Sequence, residues 1–385
     1  MSDDWRAGGF GVYVHWPYCL AKCPYCDFNS HVSQRVDHDQ WRAALITDID
    51  AAATLVPGRT VDTVFFGGGT PSLMEPETVA EVMTRIRSVW TLADNAEVTL
   101  EANPTSVEAG KFRAFSEAGV NRISMGVQAL NDPDLKRLGR THSAAEARAA
   151  FDIARTCFDR VSFDLIYARQ GQDRDAWRAE LGDALAMAVD HLSLYQLTIE
   201  PGTRFGELAD RGKLRDLPTD DHASDMYLET QDICGAAGLP AYEVSNHARE
   251  GAESRHNRIY WRYGDYAGIG PGAHGRLTID GTRIATVGAR MPEAWLERVA
   301  KTGNGLSERT KVPVEDQATE MLLMGLRLRE GIDEERFARL NGTPLPEEAI
   351  ATLCGDGLLD RADARLFATE AGRPVLNGIL RALLA

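Results

Sequence analysis

The chain has 385 residues, of which 44% are hydrophobic and 26% charged, and its formal net charge is −15. This allows one large domain with a smaller one attached, while the acidic balance without a Lys/Arg run excludes a general nucleic-acid binder and a basic lipid-binding patch. No stretch reaches the ~20 apolar residues of a membrane span, and the polar start with Asp3 and Asp4 has no signal-peptide pattern, so a cytoplasmic protein with at most peripheral membrane contact is expected.

In chain order, strand-like runs alternate with helix-like runs. GVYVHWP, from Gly11, is rich in β-forming residues and leads straight into a polar loop holding Cys19, Cys23 and Cys26. DQWRAALITDIDAAATL follows, with its apolar residues at helical spacing. The unit repeats as DTVFFGGG (from Asp62) with PETVAEVMTRIRSVW, and as EVTLEANP (from Glu97) with EAGKFRAFSEAG. It repeats again as RISMGVQ (from Arg122) with AAEARAAFDIART, and as RVSFDLIY (from Arg160) with RDAWRAELGDALAMA. HLSLYQLTI (from His191) and DMYLETQDICGAAG make a sixth unit, and AYEVSNHA reads as a seventh strand.

Strands alternating with helices of this length predict parallel βα units. Without a dinucleotide fingerprint the expected class is α/β, a partial parallel (β/α) barrel of about six units over 1–240, with an open sheet as the alternative. Residues 241–300 are expected to extend the barrel. Two helical runs and a hairpin then predict a small winged-helix-like domain over 301–385, whose acidic tract through Glu315, Glu334 and Glu348 argues against DNA binding.

The polar residues that look chemical stand at the carboxyl ends of the strands: Cys19 to Cys26, Gly67 to Thr70, Glu101, Gln128, Asp164 and Gln196. In a parallel βα barrel those ends share one rim, where ligands bind. In a reducing compartment the six cysteines are metal ligands or core residues. Cys157, Cys234 and Cys354 lie in apolar helical contexts and read as core.

The other three form C-x3-C-x2-C. Thiolates are the soft ligands that an iron–sulfur cluster requires. Three of them satisfy three irons of a 4Fe–4S cube and leave the fourth free for a small ligand. Zinc is the alternative, with His15 or His31 as a fourth ligand, although paired C-x2-C knuckles are absent.

C-x3-C-x2-C after the first strand of a βα barrel resembles the radical S-adenosylmethionine superfamily, in which S-adenosylmethionine chelates the open iron. YVHWPYC, CPYCDF, FGGGTPS, LEANP, RISMGVQ, LGRTH, DLIY, YEVSN and GIGPGAHG narrow the resemblance to the oxygen-independent coproporphyrinogen III oxidase group, over about residues 10–380. The resemblance implies a 4Fe–4S cluster on Cys19, Cys23 and Cys26. It implies S-adenosylmethionine contacts from Tyr13, Gly68, Glu101, Gln128, Arg140 and Asp164, with Gly69 and Thr70 in the glycine loop and Tyr25 beside the cysteines. ARQGQD after Tyr167 departs from the group's GLPGQ, which is expected to reshape the loop beside Asp164.

Within this group the oxidases typically carry a cysteine two positions after the third cluster cysteine and a longer amino-terminal extension. Here Phe28 stands at that position, and eighteen residues precede Cys19. The heme-chaperone branch shares both features and an H-N-x-x-Y-W motif, matched by His256, Asn257, Tyr260 and Trp261. This resemblance implies heme contact, with His256 as an iron ligand and Tyr260 and Trp261 on the porphyrin face. Heme, a heme-accepting client protein and an electron donor for the cluster follow as partners, with a homodimer left open. The rival reading is anaerobic decarboxylation of coproporphyrinogen III.

Overall fold

Along the parallel strands of the main sheet, apolar side chains that pack on helices alternate with mostly polar side chains on the inner face. The computed structural model describes residues 3–33 and 35–384. Strands β1 (Phe10–Trp16), β2 (Thr60–Gly68), β3 (Thr91–Ala102), β4 (Arg122–Gln128), β5 (Arg160–Tyr167) and β6 (His191–Gln196) lie parallel in sequence order. The crossovers carry helices α1 (His38–Leu55), α2 (Pro76–Val89), α3 (Phe112–Glu117), α4 (Ala144–Cys157) and α5 (Arg174–Met187).

The helices begin where the sequence supplies caps. Asp37, Ser143 and Asp173 each accept a backbone N–H of the first turn of α1, α4 and α5, and Glu146 completes a capping box with Ser143. Ala147, Ala150, Phe151 and Ala154 then present one buried face of α4 to the sheet.

On the outer face of the strands, Val12, Val14, Val64, Phe66, Val98, Leu100, Ile123, Met125, Val161, Phe163, Leu192 and Leu194 are at most 2% exposed and form one core with the helices. The opposite face is polar, with Thr63, Thr99, Glu101, Arg122, Ser124, Ser162, Asp164 and Ser193. A one-residue slip of any strand would put carboxylates or hydroxyls against apolar helices. Each large apolar side chain would forfeit about 1.5–3 kcal/mol of burial, which fixes the register.

AYEVSNHA does not form a seventh parallel strand. Only β7 (Asn246–Ala248) forms there, and it runs antiparallel to β6. The seventh parallel strand is β8 (Asp265–Ile269), which pairs with β1 on the other side. Beyond it β9 (His274–Ile279), β10 (Thr282–Gly288) and β11 (Leu306–Lys311) add antiparallel strands. The order is β11-β10-β9-β8-β1-β2-β3-β4-β5-β6-β7, so the barrel is partial and unclosed. Residues 301–385 thus contribute their first strand, β11, to the main sheet.

Further helices in this part include α6 (Asp220–Ala236), α7 (Arg255–Trp261) and α8 (Pro292–Thr302). The carboxyl-terminal unit then runs α9 (Val314–Gly325), β12 (Ile332–Asp333), α10 (Glu334–Asn341), α11 (Glu347–Gly355), β13 (Leu359–Ala362), β14 (Arg365–Ala368) and α12 (Leu376–Leu384). This is the element order of a winged helix. It has its own core around Leu322, Ile332, Phe337, Ile350, Leu366 and Ile379. Among the described residues, no helix is long and apolar enough to cross a membrane.

Candidate functional site

Four strand spacings separate β1 from β5, about 19 Å in a flat sheet at ~4.8 Å each. Curling of the sheet brings the loop after β1 and Asp164 of β5 onto one cavity of about 140 Å³. Cys19, Cys23, Cys26, Tyr25, Gly68, Gly69, Thr70, Glu101, Gln128, Arg140 and Asp164 all line it.

The three cysteines are half-buried and carry no disulfide. Thr70 Oγ1 donates to Cys19 Sγ at 3.4 Å, and Arg140 Nη1 donates to Cys23 Sγ at 3.4 Å. Burial pushes the thiols of Cys19 and Cys26 above their ordinary range. Among the described residues, no group of three or more His, Cys, Asp or Glu converges closely enough to hold a single metal ion. His15 cannot complete a zinc site, because its Nε2 donates to the carbonyl of Asn29 at 2.9 Å. A cubic cluster instead takes its thiolates from around a volume, one iron at each held corner.

Glycine at 68 and 69 answers first to β1. A Cβ at Gly68, where φ is +114°, would sit 2.6 Å from His15 Cε1, and one at Gly69 would sit 2.7 Å from the carbonyl oxygen of Tyr18. The Gly68 amide donates to Glu101 Oε2 at 3.2 Å, which ties the loop to the end of β3.

Two carboxyls stand deep in the cavity. Burial raises Glu101 to about 8, with help from the Asp164 charge. Burial raises Asp164 to about 6, against the pull of Ser193 and of the Arg122 and Arg140 charges. A cation placed between them would let both ionise. Arg140 also donates from Nη2 to Asn103 Oδ1 (2.6 Å) and to the Gly126 carbonyl (2.7 Å), while its buried Nε has no partner among the described residues. Thiolates, paired carboxyls and a guanidinium with a free donor fit a cluster with a zwitterionic, sulfonium-bearing ligand.

Asn103, Ser124 and Gly126 also line the cavity. Asn103 matters most, since its amide nitrogen donates to Thr70 Oγ1 at 3.1 Å and its oxygen accepts from Arg140. Its signal lay in LEANP, two residues beyond Glu101. Gln196 ends its strand exposed and does not line the cavity. Phe28 does, with 60% of its surface exposed. Cys234 is fully buried, and Cys157 and Cys354 pack partly buried against the two cores.

Gln128 has φ +73°, and the pairing of β4 with β5 is interrupted between Met125 and Gln128. This left-handed turn costs a non-glycine residue about 1–2 kcal/mol and lies at the cavity wall. Ala168 is also left-handed, at φ +56°. The departure ARQGQD thus keeps a glycine-type turn without glycine. Its next residue, Arg169, holds the loop by donating to Asp134 (2.8 Å) and Glu180 (2.5 Å). Ala168→Gly is therefore expected to stabilise the chain by about 1 kcal/mol, read as a higher urea midpoint. A lower midpoint would show that no strain resides there.

The H-N-x-x-Y-W motif is not a rim loop. It forms α7, whose amino terminus is capped by Ser254 and by Glu97 Oε1, which accepts from the amides of Arg255 and His256. His256 is 1% exposed, with Nδ1 2.7 Å from Thr63 Oγ1 and Nε2 2.6 Å from Tyr260 Oη. Burial lowers its pKa to about 3, so the ring is neutral. Thr63 lies five residues before Gly68, about 16 Å down the strand. His256 thus sits at the end of the barrel away from the cysteines, with both ring nitrogens engaged. Asn257, Tyr260 and Trp261 are half-buried on the same helix, outside the cavity. Tyr13 lies beneath the glycine loop, where a Cβ on Gly67 would meet its ring at 2.8 Å.

Residues 13–182 match the radical SAM superfamily and residues 312–375 match the HemN C-terminal domain. The chain is 38% identical to the heme chaperone HemW of Escherichia coli (strain K12), over 97% of this chain and 98% of that protein. The chain belongs to the HemW family. It is also 39% identical to the mitochondrial radical S-adenosyl methionine domain-containing protein 1 of Bos taurus, over 97% of this chain and 87% of that one. The solved coproporphyrinogen III oxidase (HemN) from Escherichia coli has the same fold, with a TM-score of 0.80 at 23% identity, covering 98% of this chain and 92% of that one. The HemW fold therefore overlays that of a porphyrinogen oxidase along nearly its whole length.

Proposed function

We propose that this HemW-family chain is a heme chaperone. It holds a 4Fe–4S cluster on Cys19, Cys23 and Cys26, binds S-adenosylmethionine in the adjoining cavity and delivers heme to a client protein. The observation that carries the reading is the cavity itself, where three thiols share a wall with Arg140, Glu101 and Asp164 in a chain of this family. Arg140 is suited to the ligand carboxylate through its unpartnered Nε, and Glu101 and Asp164 to its cationic groups or ribose hydroxyls. Gly68, Gly69, Thr70, Gln128 and Tyr25 complete the walls, and Tyr13 supports the glycine loop from below. When bound, a reduced cluster supplies an electron to the sulfonium. Phe28 favours chaperoning over oxidation, since it presents an apolar ring to the cavity where the oxidase group typically has a cysteine.

The test is anaerobic reconstitution followed by two assays on one sample. Titration with heme is expected to give a saturable Soret shift. Incubation with coproporphyrinogen III, reductant and S-adenosylmethionine is expected to give no decarboxylated product. Product formation would establish the oxidase reading. A colourless protein without labile sulfide would remove the cluster.

A further inference from the structure

The buried position of His256 gives the H-N-x-x-Y-W motif a task inside the barrel. The geometry points to His256 as a positioning residue at the base of a packed column that fixes the cluster loop. The inference rests on the assignment of that loop to the cluster.

The column can be followed atom by atom. The His256 ring stacks on Phe65 with centroids 5.0 Å apart, and Phe65 stacks on Tyr13 at 6.2 Å. Tyr13 Oη lies 3.1 Å from His15 Nδ1. His15 Nε2 lies 2.9 Å from the Asn29 carbonyl, an acceptor only, so Nε2 carries the proton and Nδ1 accepts from Tyr13. Asn29 is three residues beyond Cys26, and its side-chain amide donates to the carbonyls of Pro271 (3.0 Å) and Arg290 (2.9 Å).

Gly11 makes room for the base, since a Cβ there would sit 3.1 Å from His256 Cε1. Thr63 and Tyr260 hold the imidazole from either side. The solvent side of α7 is clamped to the carboxyl-terminal unit. Arg258 donates to Glu330 at 3.1 Å, and Arg262 donates to it at 2.6 and 2.8 Å. One seven-residue helix thus touches the carboxyl-terminal unit on one face and, through Phe65, Tyr13 and His15, the cysteine loop on the other. Movement of the carboxyl-terminal unit is thereby coupled to the cluster loop.

An iron ligand and a positioning residue predict different outcomes for changes that spare the imidazole. Thr63→Val and Tyr260→Phe each remove one hydrogen bond from His256 and touch no cysteine. In full-length, cluster-free protein, iodoacetamide alkylation of Cys26, resolved by mass spectrometry, is expected to run about fivefold faster in both variants. That is the factor for about 1 kcal/mol, one buried hydrogen bond. His256→Gln keeps a donor and an acceptor for Thr63 and Tyr260 but loses the ring that stacks on Phe65, so it is expected to speed Cys26 alkylation while keeping the heme Soret shift. Thermal unfolding of each variant checks that it is folded. Unchanged alkylation in folded Thr63→Val and Tyr260→Phe would overturn the inference. So would a His256→Gln protein that loses the Soret shift with its cysteine protection intact. The alkylation readout needs no cluster, so it stands apart from a failure of the wild-type chain to assemble one.

Discussion

Alanine in place of any one of Cys19, Cys23 or Cys26 is expected to abolish the brown iron–sulfur absorption of anaerobically reconstituted protein, with iron and sulfide falling to background. In the proposed site each thiolate holds one corner of the cube, and this segment supplies three. The fold is expected to survive. The three cysteines are half-buried, Cys19 in a two-residue strand and Cys23 and Cys26 on the loop after it, and they belong to neither core. Changes at such positions usually shift stability by about 0.5 kcal/mol or less. Cys234 provides the opposite control. It is fully buried on α6, burial pushes its thiol up to about 12, and among the described residues it belongs to no group of three or more potential metal ligands. Cys234→Ala should leave the absorption intact and cost about 1 kcal/mol of stability. Absorption that persists in the triple alanine variant would remove the cluster from this loop.

The parallel units were legible because the sheet has two unlike faces. RISMGVQ and RVSFDLIY alternate so plainly because Ile123, Met125, Val161 and Phe163 pack on helices while Arg122, Ser124, Ser162 and Asp164 lie on the inner face, where Ser124 and Asp164 line the cavity. A sheet buried in apolar surroundings on both faces would have read as continuous hydrophobic runs. The cysteine loop was legible for a different reason, since its chemistry is fixed by residue type and spacing. Two features were not. Strand β8 is five residues of DYAGI beside a GPG turn, so its glycines read as a loop, and pairing with β1 and β9 makes it a strand. The placement of HNRIYW was hidden because a histidine beside aromatics suits a ligand and a core equally. The deciding signal was the spacing of His256 to Tyr260, which puts both on one face of a helix.

S-adenosylmethionine is expected to bind more tightly as the pH rises from about 6 towards 8, and Glu101 sets the direction. Its carboxyl is raised to about 8 by burial and by Asp164, so the unliganded protein holds a proton there that the unfolded chain has lost. The stability this contributes is fully present below the ordinary glutamate range and is lost as the pH rises through about 8. A cationic ligand beside Glu101 favours the ionised form, so binding must expel that proton. Affinity can then rise up to about tenfold per pH unit within this window. Calorimetry in two buffers of different ionisation enthalpy reads the proton count directly. Glu101→Gln removes the titration, so it should flatten the contribution and reduce affinity roughly 100-fold, the scale for losing one charged partner of a buried pair. The ligand's own amino group titrates nearby, and the difference between wild type and the glutamine variant isolates the protein's share. Without ligand, Glu101→Gln should unfold at a higher temperature than wild type at pH 8 and at nearly the same temperature at pH 5, because only the ionised carboxylate is penalised by burial. An affinity that is flat with pH in the wild type, or that slopes equally in both proteins, would place the cationic end of the ligand away from Glu101.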